Sequence, residues 1–180
     1  MKTLVAQKQG GLDDYQTPPS ALSILLPHLD RNWTIWEPAS GEGYLSEALR
    51  EKGFHVIGTD IHEGFDFLQF RPEKFDVIVT NPPYSLKDRF LERAYGLGKP
   101  FAFLLPLTTL EGKARQSLFA TYGISLLIPN RRINFMTPDG KDSGSWFLTA
   151  WFTWQLQNKD IEFVSCIEQL PVSREMIIDD

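Results

Sequence analysis

A chain of 180 residues is long enough for one well-cored domain and too short for two of ordinary size. Apolar residues make up 42% of it, yet no apolar run approaches the ~20 residues that would cross a bilayer, which excludes a helical membrane span. A net charge of −5 excludes a uniformly basic surface, and the single cysteine, Cys166, excludes an internal disulfide and a cysteine-based metal site.

Short apolar runs alternate with amphipathic stretches, which predicts an α/β fold: a mostly parallel sheet with covering helices. Pro18 to Leu29 reads as a short helix whose prolines occupy the first turn, where no intrahelical N–H is needed. Trp33 to Trp36 reads as a buried strand followed by a glycine turn. Glu42 to Lys52 is a helix with Leu45, Ala48 and Leu49 on one stripe and Gly53 as its stop. Phe54 to Thr59 and Phe75 to Thr80 are strands. Leu86 to Leu97 is helical, Pro100 to Leu107 a strand, Leu110 to Thr121 helical, and Ile124 to Ile128 a strand. The aromatic-rich Ser145 to Gln155 closes the sheet as an antiparallel strand, expected to pair with residues near Arg132 to Met136. Ile161 to Ile167 reads as an edge strand, with a tail to Asp180. No repeat or linker divides residues 1–180, so one domain is expected. The start, Met1-Lys2-Thr3-Leu4-Val5-Ala6, lacks a secretory signal's apolar stretch, so the expected location is cytoplasmic.

Four groups of residues carry chemistry. Glu37-Pro38-Ala39-Ser40-Gly41-Glu42-Gly43 lies at a strand-to-helix turn, where glycines let a ligand approach the backbone closely. Its two glutamates repel a pyrophosphate and suit a cationic amine. Asp60 ends the next strand, where an acid accepts ribose hydroxyls in open sheets or simply caps a helix. Asp66-Phe67 offers a carboxylate and a ring to an adenine. Thr80-Asn81-Pro82-Pro83-Tyr84 ends the third strand. There the Asn81 amide and the Pro82 carbonyl can accept from a planar NH2, and Tyr84 offers a face on which a base stacks. His28, His55 and His62 share no ligand spacing, so no metal is expected.

Together Glu37 to Gly43, Asp60, Asp66-Phe67 and Asn81-Pro82-Pro83-Tyr84 resemble the S-adenosylmethionine-dependent amino-group methyltransferases. The likeness is to the adenine-N6 DNA enzymes and their small phage-type relatives in particular. It runs from about Tyr15 to Trp154, in the order that places the cofactor half first. It implies a Rossmann-like class I methyltransferase domain with an antiparallel C-terminal hairpin, and S-adenosyl-L-methionine as cofactor. Tyr15, Thr17, Glu37, Ser40, Gly41 and Gly43 would line the methionyl end, Asp60 the ribose, and Asp66 and Phe67 the adenine. Asn81, Pro82 and Tyr84 would be the catalytic residues. Phe135 would be a second wall for the target base, with Arg131, Arg132 and Lys141 on phosphates; the alternative is an ordinary hairpin with a core phenylalanine and solvated arginines.

Charge is distributed unevenly. Residues 81–141 hold nine basic and four acidic side chains, a net +5, and the remainder of the chain is −10. That asymmetry fits a nucleic-acid-binding face, DNA before RNA, or ordinary solvated helix faces. An RNA adenine, a cytosine N4 or a protein glutamine presents the same planar NH2, so the acceptor stays open, as does a catalytically silent cofactor-binding subunit. No separate target-recognition domain is expected, so specificity falls to loops, a second copy of the chain or a partner.

Overall fold

In the computed structural model, residues 17–135 and 147–165 are described. Tyr15, Lys141 and the tail beyond Ser165 lie outside them. Seven strands form one sheet: β1 (Thr34–Glu37), β2 (His55–Gly58), β3 (Val77–Thr80), β4 (Phe101–Pro106), β5 (Ser125–Pro129), β6 (Thr149–Trp154) and β7 (Ile161–Val164). Their spatial order is β2-β1-β3-β4-β6-β5-β7. β1 pairs in parallel with β2 and β3, β3 with β4, and β5 with β7, while β6 is antiparallel to both β4 and β5. The expected mostly parallel α/β sheet with an antiparallel pair near its C-terminal end is therefore present.

Four α-helices cover it: α1 (Pro19–Ser23), α2 (Tyr44–Glu51), α3 (Lys87–Leu97) and α4 (Lys113–Tyr122). The alternation of side chains along each strand sorts the core into two halves. Ile35, Val77, Val79, Leu104 and Trp151 face one side, where they meet Leu22 and Leu25 near α1 and Leu45 and Leu49 of α2. Trp36, Ile78, Phe103, Leu105 and Phe152 face the other, against Phe90, Leu91, Ala94 and Tyr95 of α3 and Leu118 and Phe119 of α4. Trp151 also donates from Nε1 to the Ala21 carbonyl at 2.7 Å, tying α1 to the sheet.

Two expectations need correction. The helix read from Pro18 to Leu29 is α1 followed by a separate 3-10 turn at Leu26–His28; Pro27 lacks the N–H that a continuous helix would use there. Ser145 to Gln155 does contain a strand, but its partners are β4 and β5, with Leu104 opposite Trp151 and Leu126 opposite Phe152. Residues 132–135 carry no strand. Central position favours β6 between two strands because Ala150, Trp151 and Phe152 are apolar in succession and are buried on both faces. Ile161–Val164 is the edge strand expected, parallel to β5. No helix among the described residues is long and apolar enough to cross a membrane.

Candidate functional site

Because β1 lies between β2 and β3, the chain leaves β1 toward one side of the sheet and later returns on the other. In open sheets such a reversal opens a crevice beyond the carboxyl ends of the strands. The carboxyl ends of β1 to β5 all lie at one edge, because β1 to β4 pair in parallel and β6 is antiparallel to both β4 and β5. Glu37, Asp60 and Asn81 therefore come together at the ends of neighbouring strands spaced about 4.8 Å apart. Two open depressions on the described surface lie at the opposite edge, one beside Trp33 and Leu156, the other beside Ile124 and Ile161. We place the site by its chemistry, at the carboxyl edge.

The glycine turn joins β1 to α2. Gly41 and Gly43 have φ of +50° and +86°, conformations that a side chain disfavours. At Gly43 the space a Cβ would fill has no atom within 4 Å, so the turn is open to a neighbour. Gly43 N–H donates to Ser40 O at 2.7 Å, and Ser40 N–H to Thr59 O at 3.1 Å, so the turn is braced on the end of β2.

Asp60 supplies the second brace. It is 7% exposed; Oδ2 accepts from Gly41 N–H and Oδ1 from His62 N–H, both at 2.9 Å. These bonds leave each carboxylate oxygen a further lone pair with which to accept from a ligand. Asp66 behaves similarly, accepting from Leu68 N–H and from Gln69 Nε2, each at 2.9 Å. Phe67 is buried, its ring 4.5 Å from Phe90 and 5.2 Å from Trp36, so it underlies this corner of the site as core. Thr17 is buried ahead of α1.

Glu37 is 2% exposed and accepts from Ser46 Oγ of α2. Burial pushes its carboxyl up to about 8; the Ser46 hydrogen bond and the charge of Arg50 lower it, and Asp60 adds to the rise. In the unfolded chain a glutamate ionises near 4.5, so as pH rises from there the unfolded state loses its proton first. Burying Glu37 therefore costs stability progressively up to about pH 8 and no further.

Asn81 is half-buried beyond β3, and Pro82 is buried after it. Tyr84 opens a 3-10 turn, Tyr84–Leu86, that leads into α3. Lys87 closes this turn by donating from Nζ to the Tyr84 carbonyl at 3.1 Å. The Tyr84 ring meets Phe147 edge to face, centroids 6.0 Å apart. Sequence reasoning missed both residues. Lys87 carried no signal beyond its charge, and Phe147 precedes β6 at the start of an aromatic run that read as sheet core.

Phe135, the expected second wall, is 2% exposed and packs in the cluster that contains Leu22, Leu25 and Ile133. It packs on the α1 side of the core, which fits the alternative of a core phenylalanine, while Phe147 lies beside Tyr84. Arg131 and Arg132 are exposed, just beyond β5 at the carboxyl edge. Arg115 is engaged by Asp88 at 2.8 Å and by the Thr109 carbonyl at 2.7 Å, which fixes α3 to α4. Lys141 lies outside the described residues.

No protein-family model matches the chain, and no curated protein matches it in sequence. Solved structures do. A Listeria monocytogenes protein assigned as a class I S-adenosylmethionine-dependent methyltransferase superposes with a TM-score of 0.57 at 14% identity, over 86% of this chain and 67% of its own. The fold is that of the class I methyltransferases. A Pyrococcus horikoshii protein assigned as an RNA methyltransferase gives 0.56 at 15% identity, over 82% of this chain and 88% of its own. The methyltransferase subunit of a Streptococcus thermophilus type I restriction-modification system gives 0.54 at 16%, over 84% of this chain. The methyltransferase-fold chain spans 47% of that subunit's length.

Removing the Asp60 side chain takes away both the brace on Gly41 and the proposed ribose acceptor. Asp60→Ala is expected to weaken S-adenosylmethionine binding by about 1–3 kcal/mol. Calorimetry on the two proteins measures this, and equal affinities would remove Asp60 from the cofactor site.

Proposed function

We propose that the chain transfers a methyl group from S-adenosyl-L-methionine to an exocyclic amino nitrogen, N6 of adenine in DNA. The observation that carries this reading is the placement of Asn81-Pro82-Pro83-Tyr84 at the end of β3, beside the open glycine turn of β1. The donor-set chemistry fits the cofactor: Glu37 and Asp60 are acidic groups at the turn, where a methionyl ammonium and ribose hydroxyls need acceptors. S-adenosylmethionine, when bound, supplies a methyl group already activated by the sulfonium charge.

The chain's own residues position the acceptor. Asn81 Oδ1 and the Pro82 carbonyl accept the two hydrogens of the NH2, which draws the nitrogen toward a pyramidal form and exposes its lone pair. Tyr84 stacks on the base and Phe147 closes the pocket beside it. No general base is required before transfer, so the rate comes chiefly from alignment and polarisation. A base taken from a duplex must first be extruded, at a cost of a few kcal/mol that stacking on Tyr84 partly offsets.

Incubation with labelled S-adenosylmethionine and a panel of duplex DNA, single-stranded DNA, RNA and protein tests the acceptor. Label in DNA, recovered as N6-methyladenine, is the expected result; label only in RNA or protein moves the assignment to that acceptor. The position of Arg131 and Arg132, about three strand spacings (~14 Å) from Asn81 at the same edge, supports phosphate contacts by both. DNA affinity is therefore expected to fall with salt, at a slope of about −0.9 for each phosphate neutralised. Replacing both arginines by Ala flattens that slope by up to about two units with little effect on cofactor affinity. A slope indifferent to both arginines rules them out as phosphate contacts.

A further inference from the structure

Glu37 occupies an unusual joint. It extends toward the α2 side of the sheet, where Ser46, only 1% exposed, donates to its Oε2. Ser46 is confined by Gly58 of β2, where an added Cβ would come within 2.9 Å of Ser46 Oγ. One turn along α2, Arg50 acts on the same carboxyl while its Nη2 is anchored on the Val56 carbonyl at 3.1 Å. Asp60 acts from the end of β2 and also holds the glycine turn through Gly41 N–H. β3 and α1 contain no titratable side chain, and Glu42 of the turn, Glu47 and Glu51 of α2 and His55 of β2 are exposed. A carboxyl so enclosed carries its proton at neutral pH unless a cation approaches it.

We propose that Ser46 is a positioning residue that holds Glu37 as a buried carboxyl, and that a cationic ligand group reaching the glycine turn displaces the Glu37 proton to solvent. The O–H bond of the carboxyl breaks, its electron pair stays on the oxygen, and the proton passes to water; nothing is oxidised. The inference rests on the cofactor reading only for the identity of the cation, the methionyl ammonium. Ligand loading and proton release are then one event, and cofactor affinity rises with pH until Glu37 is ionised in the free protein as well.

Carbon-13 spectra of the glutamate carboxyls, with Glu37 assigned by the signal lost in Glu37→Gln, read the titration directly. In the ligand-free protein the Glu37 midpoint is expected near 8, and it is expected to fall by a unit or more when S-adenosylmethionine is added. Calorimetry in two buffers of different ionisation enthalpy should give up to about one proton released for each S-adenosylmethionine bound by the wild type at pH 7, and none for Glu37→Gln. Ser46→Ala removes the donor that favours the ionised form, so the free midpoint should rise further. A ligand-free midpoint in the ordinary glutamate range overturns the proposal. Binding of S-adenosylmethionine that leaves the midpoint unmoved overturns it while sparing the cofactor reading. A high midpoint with no S-adenosylmethionine binding overturns the cofactor reading and the ligand half of this proposal together. A Ser46→Ala midpoint equal to that of the wild type removes Ser46 from the device.

Discussion

Asn81→Ala is expected to lower methyl transfer about 100-fold or more while S-adenosylmethionine affinity stays nearly unchanged, as when one preorganised hydrogen-bonding group is removed from a reacting centre. The asymmetry follows from position. Asn81 stands beyond β3, one strand away from the glycine turn, and Asp60 and Thr59 brace that turn. On the proposed reading, removing the amide keeps the Asp60 and Thr59 braces and takes one of two acceptors from the target nitrogen. Asn81→Asp keeps an oxygen acceptor at the same place and should retain more activity than Ala. Single-turnover rates paired with calorimetry separate the two steps. A parallel loss of cofactor binding and of turnover would mean that Asn81 belongs to the cofactor half.

Trp36→Ala is expected to reduce unfolding free energy by about 3–5 kcal/mol. Its ring is fully buried, with centroid distances of 5.0 Å to Phe75, 5.2 Å to Phe67 and 6.3 Å to Phe70. Its indole Nε1 also donates to Thr59 Oγ1 at 2.9 Å, across from β1 to the end of β2. The substitution thus opens a cavity and leaves a buried hydroxyl without its donor, at the residue immediately before Glu37. Trp36→Phe keeps most of the volume and loses the hydrogen bond, so it should cost roughly 1–2 kcal/mol more than a volume-conserving change would. Denaturant unfolding of the three proteins reads both effects. A cost below about 1 kcal/mol for Ala would mean that this aromatic cluster contributes little to the native core.

The two expectations probe different halves of one edge. Trp36 supports the glycine turn through Thr59, and Asn81 is proposed to meet the acceptor. The proposed Glu37 titration connects that turn to pH.

Local pattern and backbone chemistry determined much of this protein by sequence alone. The apolar runs Trp33 to Trp36, Phe75 to Thr80 and Pro100 to Leu107 are too short and too continuous for surface helices; the last two contain β3 and β4, and the first overlaps β1, which extends to Glu37. The glycines at 41 and 43 and the paired prolines at 82 and 83 mark the turns, because few other residues adopt or tolerate those backbones. The sheet type and the edge that gathers Glu37, Asp60 and Asn81 follow from the alternation of strands and helices, with crossovers keeping those strands parallel. Contacts far apart in sequence were decided only by tertiary packing. Strand pairing depends on which apolar faces can be buried together, so nothing local to Ser145–Gln155 could choose β4 and β5 over Arg132–Met136. A phenylalanine's role depends on what surrounds it: Phe135 is drawn into the α1 side of the core, and Phe147 meets Tyr84. In sequence Glu37 reads as a carboxylate suited to a cationic amine; its burial and its contact with Ser46, nine residues away, which together set its charge, come only from packing against α2.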